Sequence, residues 1–205
     1  MQNTKKLHWE NVFSTKHETE VSWYQENPKT SIDFVAKLNI PKNAKIIDIG
    51  GGDSYLIDAL LELGYTNLYL LDISAKAIER IKNRLGAKAS KVTLIVSDVL
   101  EFKPDTTFDL WHDRASFHFL TEENQIAKYA ELVNLALADE GNLVIGTFSK
   151  NGPKKCSGLD ITQYDETKLK AVFEKDFDLI ESFTEDHKTP FNTIQNFIFC
   201  SFKKK

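Results

Sequence analysis

From residue 44 onward the chain switches between two hydrophobic rhythms. Residues 44–49 form a short, β-branched apolar run ending in Asp48-Ile49-Gly50, the pattern of a buried strand. Residues 53–63 then place Leu56, Leu60 and Leu63 on one helical stripe, with Gly64 as the stop. The alternation repeats as a strand over 67–72, a helix over 74–85 capped by Ser74 and closed by Gly86, and a third strand over 92–96. A fourth strand over 108–111, a long helix over 122–138 and a fifth strand over 142–147 complete the series. Strands separated by helices at this spacing predict a parallel α/β sheet with right-handed crossovers. Later the rhythm becomes one helix (166–174) and two consecutive strands (177–184 and 193–202), an antiparallel finish at one sheet edge. Residues 1–40 stand outside the sheet as one or two helices rich in aromatics, among them Trp9, Phe13, Trp23 and Tyr24.

Composition narrows the class. The 205 residues are 41% hydrophobic and 27% charged, enough apolar chain for one sizeable core. Lys and Arg number 26 against 30 Asp and Glu, a formal charge of -4, which argues against a nucleic-acid binder relying on bulk charge. No apolar run approaches the roughly 18 residues of a membrane helix, and the first residues carry no apolar signal segment. Cys156 and Cys200 are too few for a disulfide framework and fit a reducing cytosol. No His/Cys/Asp grouping has metal-ligand spacing. The expectation is a cytoplasmic protein, monomeric or weakly dimeric, with no metal, nucleic-acid or membrane partner.

The chemistry begins in the loop after the first strand. Gly50-Gly51-Gly52 lets backbone approach a ligand closely at the carboxyl edge of the sheet. Two ligands compete for such a loop. A dinucleotide wants G-x-G-x-x-G; Gly50 and Gly52 fit, but the third position is Tyr55. Asp48 would repel a pyrophosphate lying nearby, whereas it favours the ammonium and sulfonium of S-adenosylmethionine. Asp72 ends the second strand where an acid accepts ribose hydroxyls, with Ile73 beside it. Asp98 follows the third strand and is placed to accept from the adenine amine while Val99 covers the ring.

Glycine loop, acid and acid at the ends of successive strands resemble the class I (seven-stranded) S-adenosylmethionine-dependent methyltransferases over residues 40–205. The resemblance implies a three-layer, Rossmann-like sandwich around a mostly parallel sheet in the order 3-2-1-4-5-7-6, strand seven antiparallel. It also implies a methyltransferase domain over 41–205; residues 1–40, dense in aromatics and without a sheet position, are expected as an N-terminal helical lid with Trp23 and Tyr24 facing the donor. Ser54 stands where many members carry a third glycine.

In this fold the end of strand four faces the donor methyl group, which directs attention to Trp111-His112-Asp113-Arg114-Ala115-Ser116-Phe117-His118. Asp113-Arg114 resembles the Asp-Lys pair of eukaryotic protein-lysine methyltransferases acting on elongation factor 1A and citrate synthase; small bacterial methyltransferases are similar too. His112 and His118 have pKa values suited to a base. Asp113 is a candidate to bind a substrate ammonium or to pair with Arg114. Trp23, Tyr24, Trp111 and Phe117 are candidates for an aromatic wall around the sulfonium. Cys156, after strand five, and His187, in the last hairpin, are further candidates at the pocket wall and mouth. The reading that follows is an S-adenosylmethionine-dependent methyltransferase acting on a small-molecule acceptor. A protein lysine is the alternative acceptor, and a non-catalytic donor-binding protein or an NAD-dependent oxidoreductase are the competing classes.

Overall fold

Every helix of the core is set against the sheet by the apolar stripe the sequence shows. The computed structural model describes residues 2–205. Helices α1 (Gln2–Thr15) and α2 (Lys29–Lys37) precede β1 (Lys45–Ile49). Then follow α3 (Leu56–Glu62), β2 (Asn67–Asp72), α4 (Ala75–Leu85), β3 (Val92–Val96) and β4 (Phe108–Arg114). The chain continues through α5 (Glu123–Ala136), β5 (Leu137–Phe148), α6 (Glu166–Phe173), β6 (Phe177–Lys188) and β7 (Ile194–Lys204). The seven strands form one sheet in the order 3-2-1-4-5-7-6. Strands β1 to β5 are mutually parallel, and β7 runs antiparallel to both β5 and β6. This is the α/β, Rossmann-like three-layer arrangement expected from the sequence.

Two apolar cores lie on opposite faces of the sheet. One joins Phe34 and Val35 of α2, Leu56 and Leu60 of α3 and Ile78 and Ile81 of α4 to Ile46 and Leu110 of the strands. The other packs Tyr129 and Val133 of α5 and Leu169 and Phe173 of α6 against Ile47, Trp111 and Ile145. A fully buried Leu or Ile contributes roughly 1.5–3 kcal/mol. Among the described residues no helix is long and apolar enough to cross a membrane.

The differences from expectation have local causes. α3 begins at Leu56 because residues 51–54 close a turn first, Ser54 N donating to Gly51 O at 2.9 Å. Leu63, expected on the buried stripe, caps the helix and is 47% exposed. β4 runs three residues past Trp111, its pairing with β5 continuing to Arg114↔Gly146. That extension decides where the site residues point.

Candidate active site

At the carboxyl end of β1 the chain takes a turn that only glycine fits. Gly50 and Gly52 have φ of +62° and +54°, a region costly for other residues. A Cβ on Gly50 would lie 2.6 Å from Ser116 Cβ, and one on Gly51 would lie 2.5 Å from Asp48 Oδ2. These glycines line a cavity of about 250 Å³ over the end of the sheet.

Asp72 and Asp98 flank the same cavity with Ile73 and Val99. Asp72 is buried and accepts from Gly52 N at 2.9 Å and Ser74 N at 2.8 Å. Burial pushes its pKa up to about 7, against the lowering effect of those two bonds. Asp98 Oδ1 accepts from Leu100 N at 2.9 Å, fixing the turn that presents Val99.

Pairing of β1 with β4 puts Asp48 beside His112. Both are buried; His112 Nδ1 lies 2.7 Å from Asp48 Oδ1, and its Nε2 lies 2.9 Å from Ser31 Oγ on α2. A carboxylate only accepts, so Asp48 Oδ1 takes the hydrogen bond from Nδ1–H and Nε2 is left to accept from the serine hydroxyl. Asp48 Oδ2 is enclosed with no protein partner.

Strand alternation divides the expected strand-four cluster. His112 and Arg114 share the cavity face with Ser31 and Cys156. Trp111 and Asp113 point to the α5 side: Trp111 Nε1 donates to Tyr129 Oη at 2.9 Å, and Tyr129 Oη donates to Asp113 Oδ2 at 2.7 Å. Asp113 Oδ1 accepts from Ser116 N and Phe117 N, both at 3.0 Å. These bonds brace the turn after β4. Burial pushes the Asp113 pKa up to about 6.

Phe117 packs among Tyr129, Tyr164 and Phe173 in the core. His118 is buried with its ring 4.7 Å from that of Phe148; burial and the nearby Arg114 charge lower its pKa to about 3. His187 donates from Nε2 to Ser22 O at 2.8 Å. Trp111, Asp113, Phe117, His118 and His187 do not line the cavity. Cys156 lines it with a thiol pushed up to about 12 by burial.

The amino-terminal segment roofs the site. Trp23 and Tyr24 line the cavity, as do Lys5, Trp9 and Phe13, spaced four apart on one face of α1. Trp9 meets Trp23 and Phe119 edge-on, with ring centroids 5.6 and 5.2 Å away. Glu10 ties α1 to the start of α4, accepting from Ser74 Oγ at 2.9 Å, Ala75 N at 2.8 Å and Lys76 N at 3.1 Å. A carboxylate at a helix amino terminus meets unpaired N–H groups and the positive dipole end. Sequence reasoning did not single out Ser31, Lys5 or Glu10. The i, i+4 spacing of Lys5, Trp9 and Phe13 is the one signal that marks this face.

A family model described as a methyltransferase domain matches residues 40–196. The eEF1A lysine and N-terminal methyltransferase of Mus musculus is 29% identical over 142 residues, covering 67% of this chain and 19% of that protein. Human EEF1A lysine methyltransferase 2 is 25% identical over 138 residues, covering 62% of this chain and 58% of its own. The chain thus spans about a fifth of the first relative and under two thirds of the second. The crystal structure of an S-adenosylmethionine-dependent methyltransferase from Anabaena variabilis superposes with a TM-score of 0.75 at 12% identity, over 100% of this chain and 95% of that one, a likeness of fold.

Proposed function

We infer the function from one premise: the chain belongs to the methyltransferase-domain family and is an S-adenosylmethionine-dependent methyltransferase. The residues present fit that donor. The three-glycine turn leaves a cradle that a Cβ would fill, and Asp48 Oδ2 is a buried acceptor without a partner. Asp48 Oδ2 takes the donor ammonium, Asp72 the ribose hydroxyls, and Asp98 with Val99 the adenine, while Gly50, Gly51 and Gly52 admit the backbone-adjacent part. When bound, S-adenosylmethionine supplies a methyl group on a cationic sulfonium, which the faces of Trp23 and Tyr24 favour.

The proposed acceptor is a small molecule. The observation that carries this is the roof: α1 is pinned to α4 through Glu10, and Trp9, Trp23 and Phe119 pack together above the cavity. A closed site excludes water and holds the acceptor in line, which supplies much of the rate of a displacement. His112 takes the acceptor proton at Nε2, replacing the hydrogen bond from Ser31, while Asp48 holds the ring through Nδ1. Asp113 positions the turn from Arg114 to Phe117 through its backbone bonds. A cytosolic setting suits the two free, buried thiols of Cys156 and Cys200.

A protein lysine is the second reading, favoured by the lysine methyltransferases among the relatives. Incubation with methyl-labelled donor and a lysate separates the two. Label is expected in the small-molecule fraction; a discrete labelled protein band lost in His112→Ala would overturn the small-molecule acceptor.

A further inference from the structure

The cavity has two chemically different ends. Asp72 ends β2 and Asp98 follows β3 on one side, whereas the Arg114 side chain runs the other way, across β5 toward β7 and β6. Its guanidinium carbon lies 4.7 Å from the ring centroid of Phe197 on β7, and Nη1 donates to Trp23 O at 3.2 Å. Cys156 and Glu185 are its electrostatic neighbours at this end, with Asp48 behind.

Arg114 is under-satisfied. Nε is enclosed with no partner, and among the described residues the guanidinium makes no ion pair. Five N–H groups are available to it, and the one hydrogen bond it makes is to a neutral carbonyl. Glu185 Oε2 accepts from Thr30 Oγ1 at 2.6 Å, and Asp48 Oδ1 accepts from His112 Nδ1. Cys156 stays a neutral thiol, so it supplies no countercharge. Burial lowers the Arg114 pKa only to about 10, which leaves the group cationic at neutral pH. The Glu185 and Asp48 charges act on it without an ion-pair contact, and an enclosed cation with unfilled N–H groups is costly unless a ligand fills them.

We propose that the acceptor carries an acidic group, a carboxylate or a similar oxyanion, and that Arg114 docks it at the cavity end remote from Asp72 and Asp98. The planar fork matches two oxygens at once, and the stacking on Phe197 fixes its plane. The same charge opposes a lysine ammonium in this end. This step rests on the small-molecule reading above, but it is tested by direct binding rather than by label distribution, so each stands or falls separately.

The experiment saturates the protein with S-adenosylhomocysteine and titrates two matched sets by calorimetry: benzoate, benzamide and benzylamine, and butyrate, butyramide and butylamine. At least one carboxylate is expected to bind about tenfold tighter than its amide and amine. Arg114→Gln should erase that preference, and Arg114→Lys should keep part of it, while the affinity for S-adenosylhomocysteine stays within about twofold of wild type. Carboxylates binding no better than their amides, or amines binding best, would overturn the proposal, and this comparison needs no variant. A cooperatively melting Arg114→Gln that loses S-adenosylhomocysteine binding to the same degree would also overturn it, because Arg114 would then hold the donor's own carboxylate. Failure of the wild type to bind S-adenosylhomocysteine would instead strike at the donor assignment.

Discussion

Asp48 Oδ1 and His112 Nδ1 lie 2.7 Å apart across adjacent strands, and that contact leaves the other ring nitrogen, Nε2, toward Ser31. With Nδ1–H held by the carboxylate, Nε2 is the basic nitrogen and Ser31 its present donor. His112→Asn preserves a donor toward Asp48 but removes the base. Turnover should fall by about 100-fold or more, the usual scale of a general base, with S-adenosylhomocysteine affinity nearly unchanged. Single-turnover rates within threefold of wild type (about 0.6 kcal/mol) would remove His112 from the chemistry.

Donor binding should be proton-linked through Asp72. Burial holds its pKa at about 7 in the folded protein, above the ordinary carboxyl value of 3.8. The unfolded chain loses this proton first, so the group's contribution to stability declines as pH rises from about 4 to 7 and is level beyond. Ribose hydroxyls donate to the ionised form, so S-adenosylhomocysteine should bind more tightly at pH 8 than at pH 6 and release protons near pH 6.5. Calorimetry in two buffers of different ionisation enthalpy measures the release; equal binding enthalpies would contradict it. Asp72→Ala should weaken binding by about 1.5–3 kcal/mol.

The fold was legible because alternating strands and helices leave few topologies, and the glycine-and-acid side of the cavity because Gly50, Gly52, Asp72 and Asp98 lie at or just past strand ends within one stretch of sequence. The acceptor side was not. Its motif continues the strand, and the two-residue period of β4 turns His112 and Arg114 into the cavity while Trp111 and Asp113 enter the opposite core. No local pattern reveals Ser31, which meets His112 from 81 residues away. Helix α1 likewise shows no strong core stripe, because the face bearing Lys5, Trp9 and Phe13 lines a cavity and meets the aromatic roof rather than the sheet.

The roof should depend on Glu10. Its three bonds to Ser74, Ala75 and Lys76 replace the partners that the first turn of α4 lacks. Glu10→Ala should cost about 1 kcal/mol, the scale of a lost helix cap, and release α1 more than the sheet. Hydrogen exchange in residues 2–15 is expected to quicken, and S-adenosylhomocysteine is expected to slow it in the wild type. Exchange that is identical with and without that ligand would end the lid reading.

Crowding at Gly51 should couple the donor cradle to the base. Gly51 has no positive φ, so Gly51→Ala carries no backbone strain; its Cβ would instead sit 2.5 Å from Asp48 Oδ2 and 2.9 Å from Leu70 Cδ1. The carboxylate must move, and in moving it loosens the 2.7 Å contact that orients His112. Stability should drop by about 1–3 kcal/mol, the range for an overpacked site, and both S-adenosylhomocysteine affinity and turnover should fall. Gly64→Ala is the matched control: φ is +85° there and nothing lies within 4 Å of the added carbon. It should cost about 1–2 kcal/mol through backbone strain alone and leave ligand binding intact. Thermal melts and ligand titrations on the two variants decide the matter. If Gly51→Ala binds S-adenosylhomocysteine as Gly64→Ala does, Asp48 is not the link between donor and base.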